Sequence, residues 1–333
     1  MGKAVYNRIF NESDWLKVLP ENKQILDDYL LDLRVRKLSE NTIAQYKNDL
    51  RIFLIYVMQE LDNKSLILLS KKDLKRYSLY LSEKLGVSSA RHNRLLSSLK
   101  GLFSYMEDDD DLDYDDSVAR KIKGLPKESV RDIVFLTDNE ILAMEEKLIA
   151  DKEYQKATLL MLAYDSALRK NELSQVTKFG FEEDGVYTAN KVIGKRHKSF
   201  YARYFDETKR CAKLWLKQRG EDDIDNLFIV VTKDGTKKPA TVDNIYEMVI
   251  SMRDTYKELF GKELNFNVHS FRHSALENLG NGTHYICVRR NLGKIDINTL
   301  KVVANHESIE TTQGYLRDKS DELYEETFSI KKQ

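Results

Sequence analysis

The chain has 333 residues, enough for two domains of ordinary size. Hydrophobic residues at 41% can build cores and charged residues at 32% keep the surface wet, while no apolar run reaches the ~18 residues of a membrane helix. Basic and acidic side chains number 54 each, which excludes a uniformly charged surface, so a polyanion-binding face has to arise from local segregation of charge.

The opening MGKAVYNRIFNESDW lacks the apolar segment of a secretory signal, and Tyr6 stands where a myristoylation motif needs Ser or Thr. Residues 1–21 read as an N-terminal extension. With three prolines and 14 glycines to interrupt them, helices should dominate. Residues 22–106 read as four helices. The first covers Lys23 to Arg36. The second is capped by Ser39 and carries Ile43, Tyr46, Leu50, Phe53, Leu54 and Val57 at helical spacing. Ser70 with Asp73 forms a capping box for the third, and the fourth runs from Ser88 through Leu95, Leu96, Leu99 and Phe103. A helical domain over 22–113 is the economical reading. Glu107–Asp116 reads EDDDDLDYDD, a self-repelling run expected to be a solvated loop. Arg120, Lys121, Lys123, Lys127 and Arg131 follow it with only Glu128 among them, and residues 114–134 are expected to form a linker.

A second domain over 135–333 opens with a capping box of Thr137 and Glu140, followed by helices carrying Ile141, Leu142 and Met144, then Leu159, Leu160, Leu162 and Ala163. The stretch GVYTANKVIGKRHKSFYARYF has β-rich flanks and a basic centre, the pattern of two strands joined by a turn. Helices are expected again near Thr208–Arg219, Thr241–Leu259, Ser270–Leu279, Asn298–Ala304 and Ile309–Leu316. The tail beyond, with Leu316, Leu323, Phe328 and Ile330 among charges, is amphipathic and suits packing on its own domain or on a neighbouring copy. The fold class is therefore mainly α with a small β-sheet (α+β). Cys211 and Cys287 stand far apart and outside any metal-ligand spacing, which suits a reduced, cytoplasmic protein and implies no metal.

Four short segments carry candidate chemistry. His269 and Arg272 in Val268-His269-Ser270-Phe271-Arg272-His273 lie one helical turn apart, so a cation and a proton carrier can share one face; an isolated H-x-x-R is most often just a polar helix surface. Arg169, in Ser166-Ala167-Leu168-Arg169-Lys170-Asn171-Glu172-Leu173, falls between two helices, where a guanidinium can grip a phosphate bidentately and Glu172 can orient it or cap the next helix; such an arginine taken alone is more often a surface or salt-bridged residue. The hairpin supplies Lys195, Arg196, His197 and Lys198, which taken alone are a solvated basic turn. Tyr315 ends Asn305-His306-Glu307-Ser308-Ile309-Glu310-Thr311-Thr312-Gln313-Gly314-Tyr315 and is one of 18 tyrosines. On the fourth helix, Arg91, His92 and Arg94 in SSARHNRLLSSL form a basic cluster that could fit a groove in a partner, the plainer alternative being a solvated face.

Taken together, in this order and on these element types, R-K-x-E-L, a basic hairpin, H-S-F-R-H and N-H-x-S-I-x-T-T-x-x-Y resemble the tyrosine recombinase (phage integrase) family over roughly residues 22–320. The motif L-S-x-N-T-I-x-x-Y-x-x-D-L-x-x-F from Leu38 resembles that family's helical core-binding domain. The resemblance implies a catalytic domain in which Arg169 and Arg272 hold the scissile phosphate, Lys195 is the catalytic lysine, His269 and His306 flank the phosphate, and Tyr315 is the nucleophile, with Glu172 supporting the first arginine. Arg196 and Lys198 would join Arg91, His92 and Arg94 in binding DNA. It further implies strand cleavage and rejoining through a 3′-phosphotyrosine without a cofactor, double-stranded DNA as partner, a homo-tetramer on DNA, room for accessory proteins, and no membrane. Two departures stand out: the segment between Arg272 and His306 is longer than usual, which points to a mobile element, and Ala304-Asn305 replaces the usual Leu-Gly. A type IB topoisomerase would use similar residues but only relax DNA, and the separate helical domain speaks against it. A catalytically inactive DNA-binding relative is countered by the complete residue set.

The chemistry asks for these side chains. Attack on a phosphodiester builds negative charge on the non-bridging oxygens, which two fixed guanidinium groups stabilise more in the transition state than in the ground state. His269 could take the tyrosine proton and Lys195 could protonate the departing 5′-oxygen. A phosphotyrosine bond keeps the energy of the broken linkage, so religation needs no ATP.

Overall fold

The computed structural model describes residues 6, 8–126, 133–182, 185–305, 308–313 and 316, with Arg196 as backbone. The chain divides into two compact units, residues 1–132 and 133–333.

In the first unit, α1 (Glu12–Lys17) and α2 (Pro20–Val35) precede α3 (Glu40–Glu60), whose first turn is capped by the Ser39 hydroxyl accepting from the Thr42 amide at 3.2 Å. The Ser70–Asp73 capping box opens α4 (Lys71–Leu79), which runs on into a wider π-type turn over Tyr80–Lys84. Ser88 caps α5 (Ser89–Asp108). The helices bury a common core around Leu26, Phe53, Tyr77, Leu99 and Phe103. Both expected boundaries of this unit move outward. Ile9 and Val18 are buried in the same core, and the Asn63 side chain accepts from the Leu19 amide and donates to the Lys17 carbonyl, so residues 8–21 are an integral part of the unit and not an extension. Beyond residue 113, Tyr114, Ala119 and Ile122 are buried as well. The carboxylates of the acidic run stay outside while the few apolar residues around them pack inward, so charge density concealed a packed segment, and the described part of the expected linker belongs to the first unit.

In the second unit, the Thr137–Glu140 capping box opens α6 (Asp138–Ala150). The following α7 (Tyr154–Ser166) is buried without interruption from Ala157 to Ser166, as a helix enclosed by other elements must be. A short α8 (Lys170–Leu173) leads to the hairpin of β1 (Tyr187–Ile193) and β2 (Ser199–Arg203), antiparallel with Val192 opposite Phe200 and Ile193 opposite Ser199. Then come α9 (Asp206–Arg219), a ribbon of β3 (Ile229–Val231) and β4 (Lys237–Pro239), α10 (Val242–Phe260), α11 (Val268–Asn281), α12 (Tyr285–Arg290), α13 (Ile297–Val303) and α14 (Ile309–Gln313). The architecture is mainly helical with small sheets, as the composition and periodicity indicate. Sequence patterning gives no sign of α1, the β3–β4 ribbon or α12, each too short to show a period. Among the described residues no helix is long and apolar enough to cross a membrane.

Candidate active site

The site is organised around Arg272. This arginine lies on α11 with only 2% of its surface exposed, and its guanidinium donates from Nη1 to the Ala167 carbonyl and from Nη2 to the Ala304 carbonyl at 2.6 Å. Ala167 ends α7 in the left-handed region (φ 51°, ψ 29°), a conformation costing an L-residue roughly 1–2 kcal/mol. That turn aims its carbonyl at Arg272 and redirects the chain into Arg169. The single arginine thus ties the segment leading into Arg169 to the segment leading into His306.

Arg169 is half-buried at the entry to α8. Its Nη1 donates to Glu172 Oε1 at 3.2 Å while its amide donates to Glu172 Oε2 at 2.7 Å, so the buried carboxylate fixes both backbone and side chain. The hairpin rests directly on this pair: a Cβ added to Gly194 would lie 2.8 Å from Glu172 Oε1. Gln175 fastens it further, its Oε1 accepting from the Ile193 amide at 2.8 Å and its Nε2 donating to the Ile193 carbonyl at 3.0 Å and the Asn171 carbonyl at 2.7 Å. Lys195 opens the one-turn 3₁₀ segment Lys195–His197 immediately beyond this clamp, and Lys195, His197 and Lys198 are exposed.

His269 stands in the first turn of α11, exposed on one side and edge-on to the His273 ring at 4.7 Å. Its pKa is lowered to about 4, first by desolvation and then by the charges of His273, Arg272 and Arg169. The imidazole is therefore neutral near pH 7 and able to accept a proton, and both arginines act on the same ring. Arg169, Glu172, the Lys195 turn, His269 and Arg272 are brought together. His306 and Tyr315 lie outside the described residues; the neighbouring Leu316 would sit 3.8 Å from a Cβ placed on Gly280 of α11.

Below the site is a buried polar layer that no motif signals. Asp165 accepts from the Thr208 hydroxyl at 2.6 Å, the Phe205 amide at 3.0 Å and the Tyr285 hydroxyl at 2.9 Å. Burial raises its pKa to about 7. The His284 ring stacks on Tyr164 at 4.3 Å, fully enclosed, and burial lowers its pKa to about 3.

The expected DNA-reading face on α5 needs correction. His92 is fully buried, with Nε2 2.9 Å from the Ser78 hydroxyl, so it cannot enter a groove. Its place in the inward stripe His92-Leu95-Leu96-Leu99-Phe103 explains this, and that spacing was readable. Arg91 is largely covered and paired with buried Asp49 at 2.7 Å. Of the three, Arg94 keeps substantial exposure, with its Nε 3.4 Å from Asp49.

The sequence profile of the phage integrase family matches residues 134–322, and that of the phage integrase N-terminal SAM-like domain matches residues 26–109. The SPbeta prophage-derived recombinase-like protein YomM of Bacillus subtilis is 26% identical over 326 residues, covering 93% of this chain and 92% of that protein. A tyrosine recombinase of Thermosipho africanus is 25% identical over 310 residues, covering 91% and 96%. Among solved structures, the XerH site-specific recombinase bound to its palindromic difH substrate superposes with a TM-score of 0.65 at 17% identity, covering 98% of this chain and 93% of that one, a likeness of fold. With the catalytic-domain profile spanning more than half its length, the chain belongs to the phage integrase family of tyrosine recombinases.

Proposed function

We propose that this recombinase cuts and rejoins double-stranded DNA at specific sites through a 3′-phosphotyrosine on Tyr315. The observation that carries the reading is the buried Arg272 guanidinium, which joins the chain segments entering Arg169 and His306. Arg169 and Arg272 would neutralise the phosphate as charge builds on its non-bridging oxygens. The Tyr315 oxygen would form the new bond to phosphorus while the bond to the 5′-oxygen breaks. Neutral His269 would take the phenolic proton, Lys195 would give one to the departing 5′-oxygen, and His306 would hydrogen-bond a phosphoryl oxygen. Glu172 would hold Arg169 in place. Religation runs the same steps backwards with a 5′-hydroxyl as nucleophile, so bond energy is conserved.

Arg94, Arg196 and Lys198 would contact the duplex, Arg91 serving through Asp49 as support. Strand exchange between two duplexes needs four such sites, hence a homo-tetramer on DNA acting in the cytoplasm. Similarity to a prophage-derived protein favours work for a mobile element. The test is a plasmid carrying two copies of a DNA site that the protein itself selects from random duplexes. Deletion or inversion between the copies is expected; supercoil relaxation without exchange would make the enzyme a topoisomerase.

A further inference from the structure

The first unit contains a groove of about 440 Å³ that no motif marks, lined by Lys71 and Lys75 of α4 and by Lys121 and Lys123 from the segment after the acidic run. All four lysines are exposed, and no described residue forms an ion pair or hydrogen bond with any of their ammonium groups. The chain has acids to spare a few residues upstream, in Glu107–Asp116, yet none of them lines this groove.

The cations are held in place by construction. Ile122, between Lys121 and Lys123, is buried in the core. Asn93 of α5 clasps the next turn, its Oδ1 accepting from the Leu125 amide at 2.7 Å and its Nδ2 donating to the Leu125 carbonyl at 2.8 Å. A Cβ on Gly124 would collide with the same Asn93 side chain, so the close approach requires glycine there. Lys71 and Lys75 lie one turn apart on one helix face, a like-charge spacing that destabilises a helix in isolation. Like charges gathered on a fixed frame without counter-charges are complementary to a polyanion.

We propose that this groove is a sequence-independent clamp on the DNA backbone, in which Lys71, Lys75, Lys121 and Lys123 bind duplex phosphates. The inference rests on the reading of the protein as a DNA recombinase, and it moves the first unit's main grip on the backbone away from the Arg91–His92 face.

The test compares the full-length K71Q/K75Q/K121Q/K123Q protein with the wild type and with a charge-matched control, K17Q/K84Q/K147Q/K257Q, whose lysines are all ion-paired to neighbouring carboxylates. Duplex affinity is measured across a salt series. Each phosphate that is no longer neutralised should flatten the slope of log K against log salt by about 0.9, so the groove variant is expected to show a slope shallower by about 2 to 4 units, with at least a roughly tenfold weaker Kd near 0.1 M salt. The control should keep the wild-type slope. A groove variant whose slope matches wild type, or falls no further than the control, overturns the proposal. So does one that keeps wild-type duplex binding but no longer binds polyglutamate, an outcome that would give the groove to an acidic protein. Failure of the wild type itself to bind or cut duplex DNA would instead defeat the recombinase reading.

Discussion

Arg272 is a buried charge with a structural role, and the proposed grip on the phosphate would add a chemical one. Lysine there would keep the charge, but one ammonium cannot replace two directed donations to Ala167 and Ala304. An orphaned buried carbonyl costs about 1–3 kcal/mol. Arg272→Lys should therefore lower the urea midpoint and slow single-turnover DNA cleavage by about 100-fold or more. Unchanged cleavage would remove Arg272 from the phosphate. His269 offers a test by pH. Since its pKa is lowered to about 4, cleavage should hold as pH drops below 6.5 and fail only as that lower value is approached, as read from single-turnover rates. Failure centred on 6.5 would mean that the acting base titrates as an ordinary imidazole and not with the lowered pKa of this ring. The buried pair beneath the site affects stability with opposing signs. His284, lowered to about 3, stays neutral when folded, so the unfolded chain binds the extra proton between about 3 and 6.5 and stability rises with pH there. Asp165, raised from 3.8 to about 7, keeps its proton when folded, so stability falls as pH rises through that interval. Removing the acid in Asp165→Asn should leave the histidine slope unopposed: urea melts at several pH values from about 4.5 to 6.5 should show stability climbing more steeply with pH than in wild type. Equal slopes would contradict the assignment. The candidate arginines were legible because H-x-x-R and R-K-x-E-L are local patterns, whereas Asp165 and His284 carry no pattern and gain meaning only from enclosure.

The hairpin depends on its seat as much as on its strands. Its alternation and basic centre were readable, but the two hydrogen bonds between Gln175 and Ile193 and the approach of Gly194 to Glu172 join residues far apart in sequence. Gly194→Ala should push the Glu172 carboxylate off Arg169 and reduce cleavage, and the same change in a Glu172→Ala background should be nearly silent, since the side chain it strikes is gone. Additive losses in that double-mutant cycle would show that Gly194 acts elsewhere. Caps were the most reliable sequence signals: Ser39, Ser70 and Thr137 all cap the helices expected of them. On the Arg91–His92–Arg94 segment charge alone is a poor guide: helical phase puts His92 on the buried stripe and leaves Arg94 exposed.

For the molecule as a whole, charge density makes a packed segment look like a solvated linker. The acidic run hides Tyr114, and the basic stretch after it hides Ala119 and Ile122. A fragment of residues 1–126 should fold cooperatively, while one ending at residue 113 should melt at markedly lower temperature by circular dichroism, since each large apolar side chain withdrawn from the core costs about 1.5–3 kcal/mol. Equal melting temperatures would return the boundary to residue 113. The most direct test of the account is chemical. A duplex built from the selected site and nicked beside the scissile phosphate would be incubated with the protein and run on a denaturing gel. A covalent adduct at the DNA 3′ end, with its phosphate on Tyr315, is expected in the wild type and absent in Tyr315→Phe; an adduct formed equally well by Tyr315→Phe would contradict the assignment of the nucleophile.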